Sequence, residues 1–151
     1  MNQEKYAVDI DNTTQVYEFV SVGSKGAIQK LVQYTPLDEN REFFNLGFGD
    51  KDPVSGKLND LTVTNNGDTQ KILATVADTV LHFTARYPDV WVFATGSTPA
   101  RTRLYRMGIT NHLNEIENKF EVLGLTNDGW QSFETGINYE AFLVKRKSKR
   151  P

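Results

Sequence analysis

No cysteine occurs among the 151 residues, which removes disulfide scaffolding, thiol nucleophiles and thiolate metal sites together. Histidine is almost as scarce. His82 and His112 are the only two, and neither has a partner at the spacing of a metal site or of a Ser-His-Asp arrangement, so both are expected at the surface. No apolar run approaches the roughly 18 residues that a membrane-crossing helix needs, and Met1 to Asp11 is polar and acidic, without the hydrophobic core of a signal peptide. The expectation is a cytoplasmic protein that meets no membrane.

Several motifs are missing as well. There is no G-x-x-x-x-G-K-S/T phosphate loop and no G-x-S-x-G nucleophile elbow, which argues against P-loop nucleotide hydrolysis and α/β-hydrolase chemistry. Asp50, Asp52 and Gly56 look like the start of a calcium loop, but Val54 and Ser55 stand where that loop needs an oxygen ligand and a glycine. No metal is expected. Positive charge is concentrated at one end: Lys145, Arg146, Lys147, Lys149 and Arg150 fall in the last seven residues, leaving 12 basic against 19 acidic groups elsewhere, a body of about −7. An acidic body lacks the clustered cations of a broad nucleic-acid footprint, so nucleic acid is expected only through the basic tail, residues 146–151.

What is present reads as one α+β domain over residues 1–145, long enough to bury roughly two thirds of its unfolded surface. Gln15 to Val22, Ala27 to Thr35, Glu42 to Phe48 and Leu58 to Thr64 are rich in β-branched and aromatic residues and are separated by Gly-, Pro- and Asp-containing turns, which predicts an antiparallel meander. The period then changes. Ile72, Val76, Val80, Phe83 and Tyr87 recur at three and four, with Leu73, Ala77 and Leu81 widening the stripe, and Asp68 is placed to cap a helix over Thr69 to Arg86 that Pro88 stops. Val90 to Ala94 is an unbroken apolar run suited to a central strand. Thr98 followed by Pro99 starts a second helix, which Gly108 is expected to break near Met107. A short helical piece, Asn111 to Lys119, and strands at Phe120 to Leu125 and Tyr139 to Lys145 complete the order ββββ-α-β-α-ββ: a mostly antiparallel sheet, two main helices, and one parallel crossover between Leu58 and Ala94.

Two strand-to-helix junctions carry candidate chemistry. In Thr95 to Arg106, Ser97 and Thr98 supply hydroxyls and Arg101 and Arg103 supply guanidiniums beside a helix start, a combination suited to a phosphate or carboxylate. The plain alternative is that the hydroxyls only cap the helix and the arginines pair with acidic side chains. In Thr64 to Lys71, the residues Asn65, Asn66 and Lys71 would adjoin the first junction if the two preceding strands are neighbours, although Asn-Gly-Asp equally suits an ordinary turn.

The segments Gln33-Tyr34-Thr35, Asn45 to Asp50, Asp60 to Asp68 and Gly96 to Tyr105 resemble, over nearly the whole chain, a family of small bacterial proteins of unknown function. From Ala27 onward the element order is also similar to that of the Gcn5-related N-acetyltransferases, and Leu104 to Ile109 looks like their Leu-Tyr-x-x-x-Gly-Phe segment, one residue short. That resemblance implies acetyl-CoA held at Asn65 to Lys71 and Tyr105 as proton donor, yet of the family's pyrophosphate glycines only Gly67 remains. The leading expectation is a non-catalytic binding or regulatory domain without a cofactor, recognising an anionic small molecule or a partner's acidic surface. The rivals are an acyl-CoA-dependent transferase and a protein-interaction component, such as half of a toxin–antitoxin pair.

Overall fold

Alternation of apolar with polar residues fills the first half of the chain with strands. The computed structural model describes residues 4–59 and 65–148, and it runs β1 (Asp9–Ile10), β2 (Val16–Gly23), β3 (Gly26–Pro36), β4 (Phe43–Lys51) and β5 (Leu58–Asn59) before the helix α1 (Thr69–Arg86). After it come β6 (Trp91–Ala94), α2 (Pro99–Asn111), α3 (Leu113–Lys119), β7 (Phe120–Thr126), β8 (Gly129–Ser132) and β9 (Phe142–Arg146). The class is α+β, with a mostly antiparallel sheet and, among the described residues, one parallel pair and three helices. Among the described residues no helix is long and apolar enough to cross a membrane.

By contacts the chain divides into two compact units, Met1–Thr35 with Leu46–Arg86, and Pro36–Asn45 with Tyr87–Pro151. In the first unit the strand order is β1-β2-β3-β4, with β5 on β4. Tyr17, Phe19 and Ser21 register with Val32, Lys30 and Ile28 on one face of β2 and β3. Helix α1 closes over that face: Phe83 stacks on Tyr34 with centroids 4.1 Å apart, and the Tyr34 and Thr79 hydroxyls share a 2.8 Å hydrogen bond. The buried face of α1 differs from the apolar stripe of the sequence. Ala74, Thr75, Val76, Thr79, Phe83 and Thr84 are buried, whereas Ile72 and Val80 are half-buried. Threonines can take these places because their hydroxyls donate back along the helix, Thr75 to the Lys71 carbonyl, Thr79 to Val76 and Thr84 to Val80, each at 2.7 Å.

In the second unit the order is β4-β6-β9-β7-β8. The loop between β3 and β4 is too short for a crossover, so the parallel pair is β4 with β6, and the Trp91 N–H donates to the Glu42 carbonyl at 2.8 Å. The crossover partner of β6 is thus β4 and not the segment after Leu58: Leu58 and Asn59 pair antiparallel with Lys51 and Asp50, while Asp60 to Thr64 lie outside the described residues. Phe133 and Tyr139 pack beside Phe142, and a side chain at Gly124 would meet the Tyr139 ring at 2.3 Å.

Two further boundaries depart from the sequence reading. Helix α2 continues through Gly108 to Asn111, since a glycine costs only about 1 kcal/mol in a helix and the next turn is bonded from the His112 N–H to the Ile109 carbonyl. The connection between the last two strands of the sequence reading holds a further strand, β8: Asn127 and Asp128 form a two-residue hairpin turn, with Thr126 opposite Gly129 at φ 113°.

Candidate functional site

The residues predicted to bind fall into two groups, one in each unit. In the second unit, β6 ends at Ala94 and the chain turns through Thr95, Gly96 and Ser97 into α2. Thr98 is the N-cap: its backbone is extended (φ −135°, ψ 159°) and its hydroxyl accepts the Arg101 N–H at 3.3 Å, with Pro99 opening the helix. Gly96 is required here. A Cβ on it would stand 2.4 Å from the Thr102 nitrogen and 2.7 Å from the Arg101 backbone, so the loop reaches the helix only without a side chain. The Gly96 N–H then donates to the Thr102 hydroxyl at 2.9 Å.

Beside this turn lies a cleft of about 490 Å³ lined by Thr95 to Pro99, Thr102, Arg103, Arg106, Asn138, Tyr139 and Glu140. The Thr95 hydroxyl ties its two walls together by donating to the Glu140 carbonyl at 2.8 Å. The three arginines do different things. Arg101 is half-buried and donates to the Ser97 hydroxyl, holding the loop. Arg106 donates to Asn138 Oδ1 and, at 3.3 Å, to the Ile137 carbonyl, holding the opposite wall. Arg103 is exposed and lines the cleft. Ser97, Thr98 and Arg103 are therefore brought to one cleft, and Arg101 supports it from behind. Arg106 closes the segment that the sequence marks out, whereas Asn138 and Glu140 enter from the segment before β9, some 40 residues on, and leave no local signal.

Tyr105 does not line the cleft. Desolvation pushes its phenol up to about 12, against a smaller opposing influence from the Arg101 guanidinium. It is a neutral hydroxyl at physiological pH.

The second group lies in the first unit, and its side chains are engaged by the fold; Thr64 falls outside the described residues. Asn66 is 2% exposed. Its amide donates to the Gly26 carbonyl at 2.9 Å and the Ser21 hydroxyl at 3.1 Å, and its oxygen accepts the Lys25 N–H at 2.6 Å, which clamps the β2–β3 turn. Asn65 accepts the Gly67 N–H at 3.0 Å. The Lys71 ammonium stands over the Tyr6 ring, 4.3 Å from its centroid. Asp68 gives its backbone carbonyl to the Ile72 N–H as an N-cap does, while its carboxylate accepts from the Tyr6 hydroxyl at 2.5 Å and the Ser21 hydroxyl at 2.6 Å. Desolvation, followed by the bond to Asp68, raises the Tyr6 phenol above its ordinary value.

No described group of three or more His, Asp or Glu side chains is placed to hold a metal ion. Asp50 is instead ion-paired with Lys30, and Asp52 accepts the Val54 and Ser55 N–H groups of its own turn, which draw its carboxyl below the ordinary value.

Fold and cleft together define an α+β domain with a guanidinium-lined cleft where a central strand meets a helix. A family model described as a family of unknown function (DUF6934) matches residues 2–147, and the chain belongs to that family. No curated protein and no solved structure matches it.

Proposed function

We propose that the chain is a small binding domain that recognises an anionic group in the cleft at the start of α2. The observation that carries this reading is the cleft itself: its volume lies within the usual range for small-molecule sites, and it gathers the Ser97 and Thr98 loop with Arg103 and Arg106. Arg103 is the ligand-facing cation, Ser97 and Thr98 add hydroxyl and backbone donors, and Arg101 and Arg106 hold the two walls. Glu140 on the rim disfavours a ligand of high negative charge and favours one that pairs its anion with a hydrogen-bond donor. The proposed ligand is held by residues of the second unit alone.

The test is a thermal-shift screen of the purified chain against inorganic phosphate, carboxylates, nucleotides, sugar phosphates and acyl-CoAs at fixed salt. A ligand at about 100 times its Kd stabilises the folded state by about 2.7 kcal/mol. Arg103→Ala should weaken the responding ligand about 10-fold or more with an unchanged melting temperature in its absence. Arg101→Ala is the less clean variant, because it also releases Ser97. A response confined to acyl-CoAs would move the assignment to the transferase class, and no response to any small ligand would refute the reading in favour of a protein partner.

A further inference from the structure

We propose that one face of the second unit's sheet is a stacking platform for single-stranded nucleic acid. It is a different surface from the cleft, and the two stand or fall separately. Strand register defines it. Phe93, Leu143 and Leu123 lie side by side across β6, β9 and β7, and Leu125 is opposite Trp130. Because Val92 is opposite Val144, Trp91 falls beside Lys145 on the same face, and the Lys145 ammonium stands 5.6 Å from the Trp91 ring centroid. The other face is the buried one: Val92, Phe142 and Val122 are 1%, 1% and 6% exposed. On the platform face Trp130 is 41% exposed, Trp91, Phe93, Leu123 and Leu125 are half-buried, and Leu143, between Phe93 and Leu123, is 8% exposed, so the accessible rings lie to either side of it. Trp130 meets Phe93 edge to face with centroids 6.2 Å apart, which leaves indole surface available for a base.

Aromatic rings on an antiparallel sheet bind unpaired bases, because every base has a π-face and a pleated strand spaces successive rings for stacking. Charge selects the occupant. Lys145 lies within the platform and the exposed Lys147 follows two residues on, while Arg146 between them turns to the opposite face, its guanidinium 5.4 Å from the Phe120 ring centroid, so two ammonium groups at the end of β9 are available to a phosphate backbone. Glu121, opposite Lys145, is the face's carboxylate. A second copy of this chain fits less well: a two-fold contact sets the same patch against itself and would bring two such basic ends together. The acidic body confines the footprint to a few nucleotides instead of a length of duplex.

Both tryptophans of the chain, Trp91 and Trp130, lie on this face, so intrinsic fluorescence reads the platform directly. The full chain is titrated with oligothymidylate and with mixed-sequence RNA, each of about 12 nucleotides. Saturable quenching is expected, and if about two cations neutralise phosphates the affinity should fall about 7-fold between about 50 and 200 mM salt. Trp130→Ala should weaken binding at least about 5-fold with unchanged circular dichroism, Trp130→Phe should restore most of it, and Lys145→Ala with Lys147→Ala should flatten the salt dependence. No change in fluorescence or anisotropy with either oligonucleotide at the lower salt overturns the proposal. So does equal affinity for a duplex of the same length, or a dimer in light scattering that Trp130→Ala dissolves, which would assign the face to a second copy.

Discussion

Replacing Asp50 by asparagine should destabilise the first unit far more than an ordinary polar substitution. Lys30 Nζ lies 2.5 Å from Asp50 Oδ1, with the lysine side chain 0% exposed and that of the aspartate 13%. Lys30 is opposite Phe19 in the β2–β3 register, and its ammonium stands 6.0 Å from the Phe48 ring that stacks on Phe19. Asp50→Asn keeps the shape and removes the carboxylate charge 2.5 Å from a fully buried ammonium, a loss of about 3–5 kcal/mol. Lys30→Met leaves a carboxylate that still reaches water and should cost less, about 1–3 kcal/mol. Replacing both, Lys30→Met with Asp50→Leu, should come within about 1 kcal/mol of the native chain or exceed its stability, since the desolvation of two charges then disappears together. With domain stabilities of about 5–15 kcal/mol and a shift of about 2–4 °C per kcal/mol at this length, Asp50→Asn should melt roughly 10 °C lower. Urea unfolding followed by far-ultraviolet circular dichroism is the assay, because both tryptophans belong to the other unit. The reasoning is refuted if Asp50→Asn costs under about 1 kcal/mol, or if the double variant loses the sum of the two single losses.

Three other outcomes are expected. Gly96→Ala forces a methyl against the Thr102 and Arg101 backbone at 2.4 and 2.7 Å, so it should cost about 1–3 kcal/mol in denaturant and abolish ligand responses that Arg103→Ala only weakens. Tyr34→Phe deletes a buried hydroxyl and its 2.8 Å bond to Thr79, whose own hydroxyl keeps its bond to the Val76 carbonyl, at about 1 kcal/mol by the same measurement. Asp11 is held below its ordinary 3.8: desolvation acts upward, but bonds from the Thr13 hydroxyl and from the Val16, Gln15 and Thr13 N–H groups outweigh it. A depressed carboxyl stabilises the fold fully above 3.8 and loses that contribution as pH falls through the lower folded value. The stability curves of native and Asp11→Ala proteins should therefore separate at neutral pH and converge in acid.

Where one local rule dominates, the chain states its structure outright. Asp68, a run at helical spacing and Pro88 bound α1 at Thr69 and Arg86, and Thr98-Pro99 starts α2 where the helix begins. Strand existence is legible from β-branched and aromatic density; β8, built of glycine, tryptophan, glutamine and serine, lacks that density and is held by its pairing with β7. Lys30 breaks the pattern in the other direction. A lysine on a strand reads as a solvent-facing residue, and a carboxylate 20 positions later helps to make its burial tolerable.

The candidate site shows the same division between local and long-range information. Sequence proximity gathers Ser97, Thr98, Arg101 and Arg103 because one turn and one helix carry them all, but it treats the guanidiniums as equivalent. Their roles are set by what each can reach. Arg101, one turn from Ser97, closes on its own loop, while Arg106, about two turns from Thr98, meets Asn138 from a distant segment. Arg103 points between those two fixed walls into the cleft. An asparagine-rich turn misleads for a related reason: Asn66 has the composition of a ligand-facing loop, but a buried amide with three partners on a neighbouring hairpin is a structural bracket. Polar composition identifies where hydrogen bonds must be made, and the tertiary partners decide whether the fold or a ligand makes them.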